Sequence, residues 1–253
     1  MSTVGNYLYG FTDRAFQPGT ELRGLAGAPL RVVAFRDVAA IVSPHPVQRL
    51  MPSRSNLEPH HRIVRRICSE APLVPAAFGH ISDTDDALLG VLQGNYEDIR
   101  QEVDRLAGKC EMEVKLSWSV DNIFDFLVRT DRDLRELRNR VFRDREPSLN
   151  QKLQVGSMFE ATLQRHREWF TKRLLDAFDG ISLDVFSKPP RHEKSICQTA
   201  LLVDRVRVGE FEAALRRAAG LFDSNYTFEY SGPWPPYSFV RLRLHASTPV
   251  TAA

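Results

Sequence analysis

The clearest pattern along the chain is a strict two-residue alternation over Cys110–Ser119. Met112, Val114, Leu116 and Trp118 are apolar, while Glu111, Glu113, Lys115 and Ser117 are polar. Successive strand side chains point to opposite faces, so this spacing predicts a strand with one buried and one wet face. Shorter apolar and β-branched runs predict strands at Gly5–Phe11, Leu30–Phe35, Val38–Val42, Pro72–Phe78, Ile181–Phe186, Ile196–Val203, Tyr226–Tyr230 and Ser238–Leu244. Arg36-Asp37 lies between two of these runs as a hairpin turn. Pro44, Pro46 and Pro52 predict an irregular loop after the second run.

Three- and four-residue spacing predicts the helices. One starts near Ser55, with Glu58 in capping-box position, Pro59 in the first turn and Ile63, Val64 and Ile67 as its apolar face. A second starts near Ser82, where Asp83, Asp85 and Asp86 complement the helix dipole. It carries Leu88, Leu89 and Leu92, and continues past an interruption at Gly94 through Ile99, Val103 and Leu106. Ile123, Leu127, Leu134, Leu137 and Val141 mark a third helical region, which Pro147 breaks. From Ser148 to Phe178 the stripe is Leu149, Leu153, Gly156, Phe159, Leu163, Phe170, Leu174 and Phe178, closed by Gly180. Val208–Leu221 is the last helix.

Read from Cys110 onward, this order is β-α-β-β-α-β plus one strand, a ferredoxin-like split. The expected fold class is therefore α+β. An N-terminal α+β domain over residues 1–108 precedes a modified ferredoxin-like domain over residues 109–253 with long helices, a helical insertion and a frayed tail from Ser247.

Composition narrows the function. The 253 residues are 43% hydrophobic and 26% charged, ordinary for a globular chain that can bury a core. Net charge is only +2, which removes any whole-chain argument for nucleic acid or an anionic membrane. Cys68, Cys110 and Cys197 are too sparse for a disulfide framework or a zinc site and suit a reducing cytoplasm. The N-terminus shows no signal-peptide pattern, and no run reaches the ~18 apolar residues of a membrane span.

Several local motifs suggest chemistry and fall short of it. Glu58-Pro59-His60-His61 lacks a third ligand, and its adjacent histidines point about 100° apart on a helix, so a cap and a polar helix face account for it better than a metal. The Asp83, Asp85, Asp86 cluster lacks the calcium-loop spacing. Cys68 and Cys197 have no neighbouring base, and neither a nucleophile elbow nor a phosphate-binding loop occurs. The run Arg129–Arg145 mixes signs and reads as a solvated face laced with i,i+4 pairs. No catalytic residue, cofactor or metal site is expected. The alternative is a small-molecule or nucleotide-binding enzyme on a ferredoxin-like scaffold, which fold alone does not separate from a binding module.

Four segments, in order along the chain, carry a resemblance. They are Tyr7-Leu8-Tyr9-Gly10, then His60 with Ile63, Val64 and Ile67 leading to Leu73-Val74-Pro75 and Phe78-Gly79, then Cys110–Trp118, and finally Gly232-Pro233-Trp234-Pro235-Pro236-Tyr237-Ser238-Phe239-Val240. Together they resemble the F/L family of gas vesicle accessory proteins, and the last segment is the most specific. Ala77-Phe78-Gly79-His80 departs from the family's Arg-Phe-Gly-Thr. The resemblance implies a non-enzymatic role in vesicle assembly. The implied partners are the hydrophobic gas vesicle shell protein and other gas vesicle accessory proteins, with neither nucleic acid nor membrane, in the cytoplasm and on the vesicle. Apolar contact would carry binding, from Ile63, Val64, Leu88 and Leu92 wherever the core leaves them free, or from Trp234 and Tyr237.

Overall fold

Two antiparallel sheets, each covered by helices, organise the computed structural model, which describes residues 4–143 and 146–245. The chain divides into two compact units, Met1–Glu111 with Pro233–Ala253, and Met112–Gly232.

The first unit contains strands β1 (Val4–Asp13), β2 (Arg31–Phe35), β3 (Val38–Pro46), β4 (Leu73–Pro75) and β5 (Ile81–Ser82). They run in the order β2-β3-β1-β4, with β5 also paired to β1. Because β1 is nearly all buried, it can be apolar on both faces. Gly10 is required there: a Cβ would stand 2.5 Å from the Val74 carbonyl oxygen, so only glycine lets β4 approach. Arg36-Asp37 forms the expected β2–β3 turn, with Phe35 opposite Val38. The predicted loop at Pro44 and Pro46 is instead the end of β3. β2 stops opposite Val42, so beyond that point β3 pairs only with β1, and the prolines need no second set of ladder bonds.

Helices α1 (Arg54–Glu70), α2 (Asp85–Gly94) and α3 (Tyr96–Leu106) pack on this sheet. Helix α1 begins ahead of Ser55, with Ser53 at the N-cap, so the predicted Ser55–Glu58 capping box does not form and Pro59 lies in the second turn. Thr84 caps α2, its hydroxyl accepting from the Ala87 N–H. Asn95 separates α2 from α3, where the sequence suggested one interrupted helix.

The second unit contains α4 (Ile123–Thr130), α5 (Arg132–Val141), α6 (Leu149–Asp176) and α7 (Val208–Ala219). Its sheet joins β6 (Lys109–Trp118), β7 (Ser182–Lys188), β8 (Ser195–Asp204) and β9 (Tyr226–Trp234) in the order β7-β8-β6-β9. In order of appearance that is second, third, first, fourth, with the alternating strand β6 inside the sheet. Met112, Val114, Leu116 and Trp118 are buried as the alternation predicts. Glu113 pairs with Lys188 at 2.8 Å and accepts from Gln198 at 2.7 Å. Phe178 stacks on Phe211, ring centres 4.7 Å apart and both fully buried.

Two elements differ from the sequence reading. The Ser148–Gln151 capping box forms and starts α6 as expected, but the first turns present Val155, not Leu149 and Leu153, to Leu137 and Val141. Leu149 and Leu153 are 72% and 61% exposed. The last strand, Ser238–Leu244, does not form. Residues 237–239 make a 3-10 turn, the chain to 245 is irregular, and it belongs to the first unit instead of closing a second domain at 253. The charged run is a solvated face carrying an Arg132–Glu136 pair, while its Asp144 and Arg145, like the tail from Ser247, lie outside the described residues.

Candidate functional site

Helix α1 has two working faces. His60, Ile63, Val64 and Ile67 recur at i, i+3, i+4 and i+7 and are all buried in the first unit's core. Arg54, Leu57, Glu58, His61, Arg62 and Arg65 form a second stripe on the other side. With Glu111, Trp234, Pro235 and Tyr237 they line a cleft of about 860 Å³.

The wall opposite α1 is the Pro-rich segment after β9, and two carboxylates hold it. The Glu111 carboxylate accepts from the Ser238 N–H and hydroxyl, both at 2.8 Å. Glu111, predicted to face outward or pair across strands, is buried by this clasp. Glu102 accepts from the Arg241 N–H at 2.6 Å and from Arg105, which also donates to the Phe239 carbonyl. Burial pushes the Glu102 carboxyl up, but Arg105 and the Arg241 N–H outweigh it and hold the group below its ordinary value. Asn95 and His245 add a reciprocal pair, at 2.8 and 3.2 Å.

This anchoring places Tyr237 over His60. The Tyr237 hydroxyl lies 3.2 Å from His60 Nε2, and the Tyr7 hydroxyl 2.9 Å from Nδ1. A neutral imidazole offers one N–H and one lone pair, so it donates to one tyrosine and accepts from the other. The Gly79 N–H donates to the Tyr7 hydroxyl at 3.1 Å. Gly79 has φ +93°, a conformation side chains rarely adopt, which gives the Phe78-Gly79 pair a physical reason. Burial, helped by His61 nearby, lowers His60 to about 4, and burial raises Tyr7 to about 12 and also raises Tyr237. The row Tyr7–His60–Tyr237 is therefore neutral at pH 7. Its three side chains hold one another in place through these hydrogen bonds.

A pH dependence follows. An unfolded histidine takes up its proton near pH 6.5, whereas folded His60 does so only near pH 4. The unfolded chain binds more protons in that window, so stability is full above pH 6.5 and falls as pH drops to 4, by about 3 kcal/mol in all from this group. Urea unfolding at pH 7.0, 5.5 and 4.5 checks this. His60→Asn should show a flatter acid limb than the parent chain, and an equal limb would refute the assignment.

The sequence-predicted residues divide sharply. Ile63, Val64, Leu88 and Leu92 are consumed by the core and present no surface to a partner. Tyr237 is half-buried and Trp234 is 40% exposed, and both stand in the cleft wall. Leu57, His61 and the three arginines were missed, although the spacing 54, 57, 58, 61, 62, 65 is itself a helical stripe. The polar-face reading of His60 is overturned, because its spacing with Ile63, Val64 and Ile67 puts it in the core. Asp85 is held by Arg31 and Asn6, with burial opposing, and lies below its ordinary value. Burial pushes the Cys197 thiol up, away from the reactive thiolate. Among the described residues, no group of three or more His, Cys, Asp or Glu is placed to hold a metal, and no helix is long and apolar enough to cross a membrane.

Comparison with known proteins adds a family to this geometry. Residues 5–241 match the family model described as gas vesicle synthesis protein GvpL/GvpF. The chain is 28% identical to gas vesicle protein F of Streptomyces sp. (strain CB03234), over 94% of this chain and all of that one. It is 21% identical to gas vesicle protein F of Dolichospermum flosaquae, over 93% and 97%. The fold is similar to the crystal structure of GvpF from Anabaena sp. PCC7120, with a TM-score of 0.85 at 20% identity, covering 96% of this chain and all of that one. The crystal structure of GvpF from Microcystis aeruginosa gives 0.81 at 19% identity, over 94% and 99%.

Proposed function

This chain belongs to the gas vesicle synthesis protein GvpL/GvpF family and so has a gas vesicle accessory role, and we propose that it fills that role by binding the hydrophobic shell protein through the α1 cleft. Binding covers apolar surface on the shell subunit, limits its aggregation and supports vesicle growth, in the cytoplasm and at the vesicle, alongside other accessory proteins. A subunit with a large apolar surface aggregates unless a partner covers it.

The supporting observation is Trp234. A tryptophan 40% exposed beside Leu57 and Pro235, in a cleft whose wall is held by partly buried hydrogen bonds, fits the rigid aromatic anchor on which binding energy concentrates. The same residues also serve packing, because Tyr237 caps His60, so one segment both closes the core and shapes the surface.

Co-expression with the shell protein followed by pull-down tests the reading. The double variant Trp234→Ser, Leu57→Ser should lower capture by at least roughly tenfold, the scale of losing one hot-spot contact, and should lower the soluble fraction of the shell protein. Leu149→Ser, an exposed apolar site elsewhere, should change neither. Unchanged capture by a folded double variant overturns the cleft as the binding surface.

A further inference from the structure

The cleft is not merely apolar. Arg54, Arg62 and Arg65 stand along one face of α1, and none makes an ion pair among the described residues. The Arg65 guanidinium lies 5.2 Å from the Trp234 ring centre. The carboxylates in the lining are Glu58 and Glu111, and both oxygens of Glu111 already accept from Ser238. The cleft therefore pairs an aromatic wall with three arginines that outnumber its two carboxylates, one of which, Glu111, is already held by Ser238. The lining positions on α1 run from 54 to 65, about 16 Å along the axis at 1.5 Å per residue. That length matches about three turns of a peptide helix.

Two features decide the conformation of the occupant. Pro235 in the opposite wall, like Pro233 and Pro236 in the same segment, lacks an N–H group, so this segment cannot supply the regular ladder that an added strand needs. Helix α1, in contrast, offers ridges at i, i+3 and i+4 spacing against which a second helix packs. We propose that the cleft recognises an acidic amphipathic helix. Its apolar side chains seat on Trp234, Leu57 and Pro235, and its carboxylates, on the flanks of that face, meet Arg54, Arg62 and Arg65. This rests on the proposed shell-protein reading and names the kind of segment the partner presents. Arginine suits the task because its planar fork meets a carboxylate through two parallel hydrogen bonds.

Fluorescence anisotropy with dye-labelled helical peptides of about three turns tests the proposal on the full chain. One peptide carries leucines on one face and glutamates beside them. A second has every glutamate replaced by glutamine, and a third keeps the glutamates but has alanine for leucine. Exposed ion pairs are each worth about two- to fivefold, so the first peptide should bind about tenfold or more tighter than the second. Half-molar salt should erase most of that difference, because the screening length is then only about 4 Å. Arg62→Glu and Arg65→Glu, with helical content confirmed by circular dichroism, should each weaken the acidic peptide and spare the glutamine one. Equal affinity for the first two peptides overturns the charge selection, and equal affinity for the first and third overturns the apolar seat. Either failure, with shell capture still lost in the Trp234→Ser, Leu57→Ser variant, leaves the cleft as the binding surface but removes the acidic helix. Capture unaffected by that double variant removes the shell-protein reading itself.

Discussion

Replacing His60 with alanine is expected to lower the free energy of unfolding by about 3–5 kcal/mol, one of the two largest effects predicted for this chain. The imidazole is fully buried, stacks on Tyr9 and stands edge-on to Tyr7 and Phe78, so its removal leaves a cavity among rigid rings. It also takes a partner from two hydroxyls. Tyr7 keeps the Gly79 N–H, but Tyr237 loses its His60 partner. A buried polar group left unpaired costs about 1–3 kcal/mol on top of the cavity. Tyr7→Phe removes one hydroxyl and little volume, and should cost only about 1–2 kcal/mol. Urea unfolding followed by circular dichroism ranks the two variants. His60→Ala within 1 kcal/mol of the parent chain would show that the buried row is not what holds this core.

Leu116→Ala should cost about 2–5 kcal/mol in the second unit. Leu116 lies on the buried face of β6, an inner strand of its sheet, where collapse around the lost methyl groups is hindered. The neighbouring Ser117 points to the other face and is half-buried, so Ser117→Ala should stay within about 0.5 kcal/mol. The contrast between adjacent residues is the measurement of interest. Equal costs at 116 and 117 would mean that the strand does not keep the register the alternation implies.

Where the sequence was legible, a single local rule applied. The β6 alternation is readable because one face is buried and the other carries charge, and the capping box at Ser148 because both of its members lie within one turn. His60 was misread because histidine is scored as polar. Its place in the 60, 63, 64, 67 stripe carries the opposite message, and the two tyrosine hydroxyls help make its burial acceptable. Residues 238–244 alternate like a strand, yet no strand pairs with them. Glu102 and Glu111, more than a hundred residues earlier, satisfy parts of this backbone instead, and Asn95 holds the following His245. Partners at that separation leave no trace in local spacing. Of the candidate partner residues, Trp234 and Tyr237 line the cleft, while Ile63, Val64, Leu88 and Leu92 are buried. The most apolar residues of α1 and α2 were the most attractive candidates, and they are the ones the core claims first. The exposed face of α1 is instead amphipathic, with arginine stems beside one tryptophan.

The return of the chain to the first unit has a consequence for how the molecule is made. Residues 112–232 form a continuous unit and can fold once they have left the ribosome, whereas the first unit must wait for the segment that begins at Pro233. At about 5–20 residues per second the interval is roughly 6–24 s, long compared with the folding of a small domain. Throughout it, His60 has no Tyr237 above it, Glu102 has no Arg241 N–H, and α1 faces no second wall. The groove's second wall is thus added only after the whole of the second unit has been made.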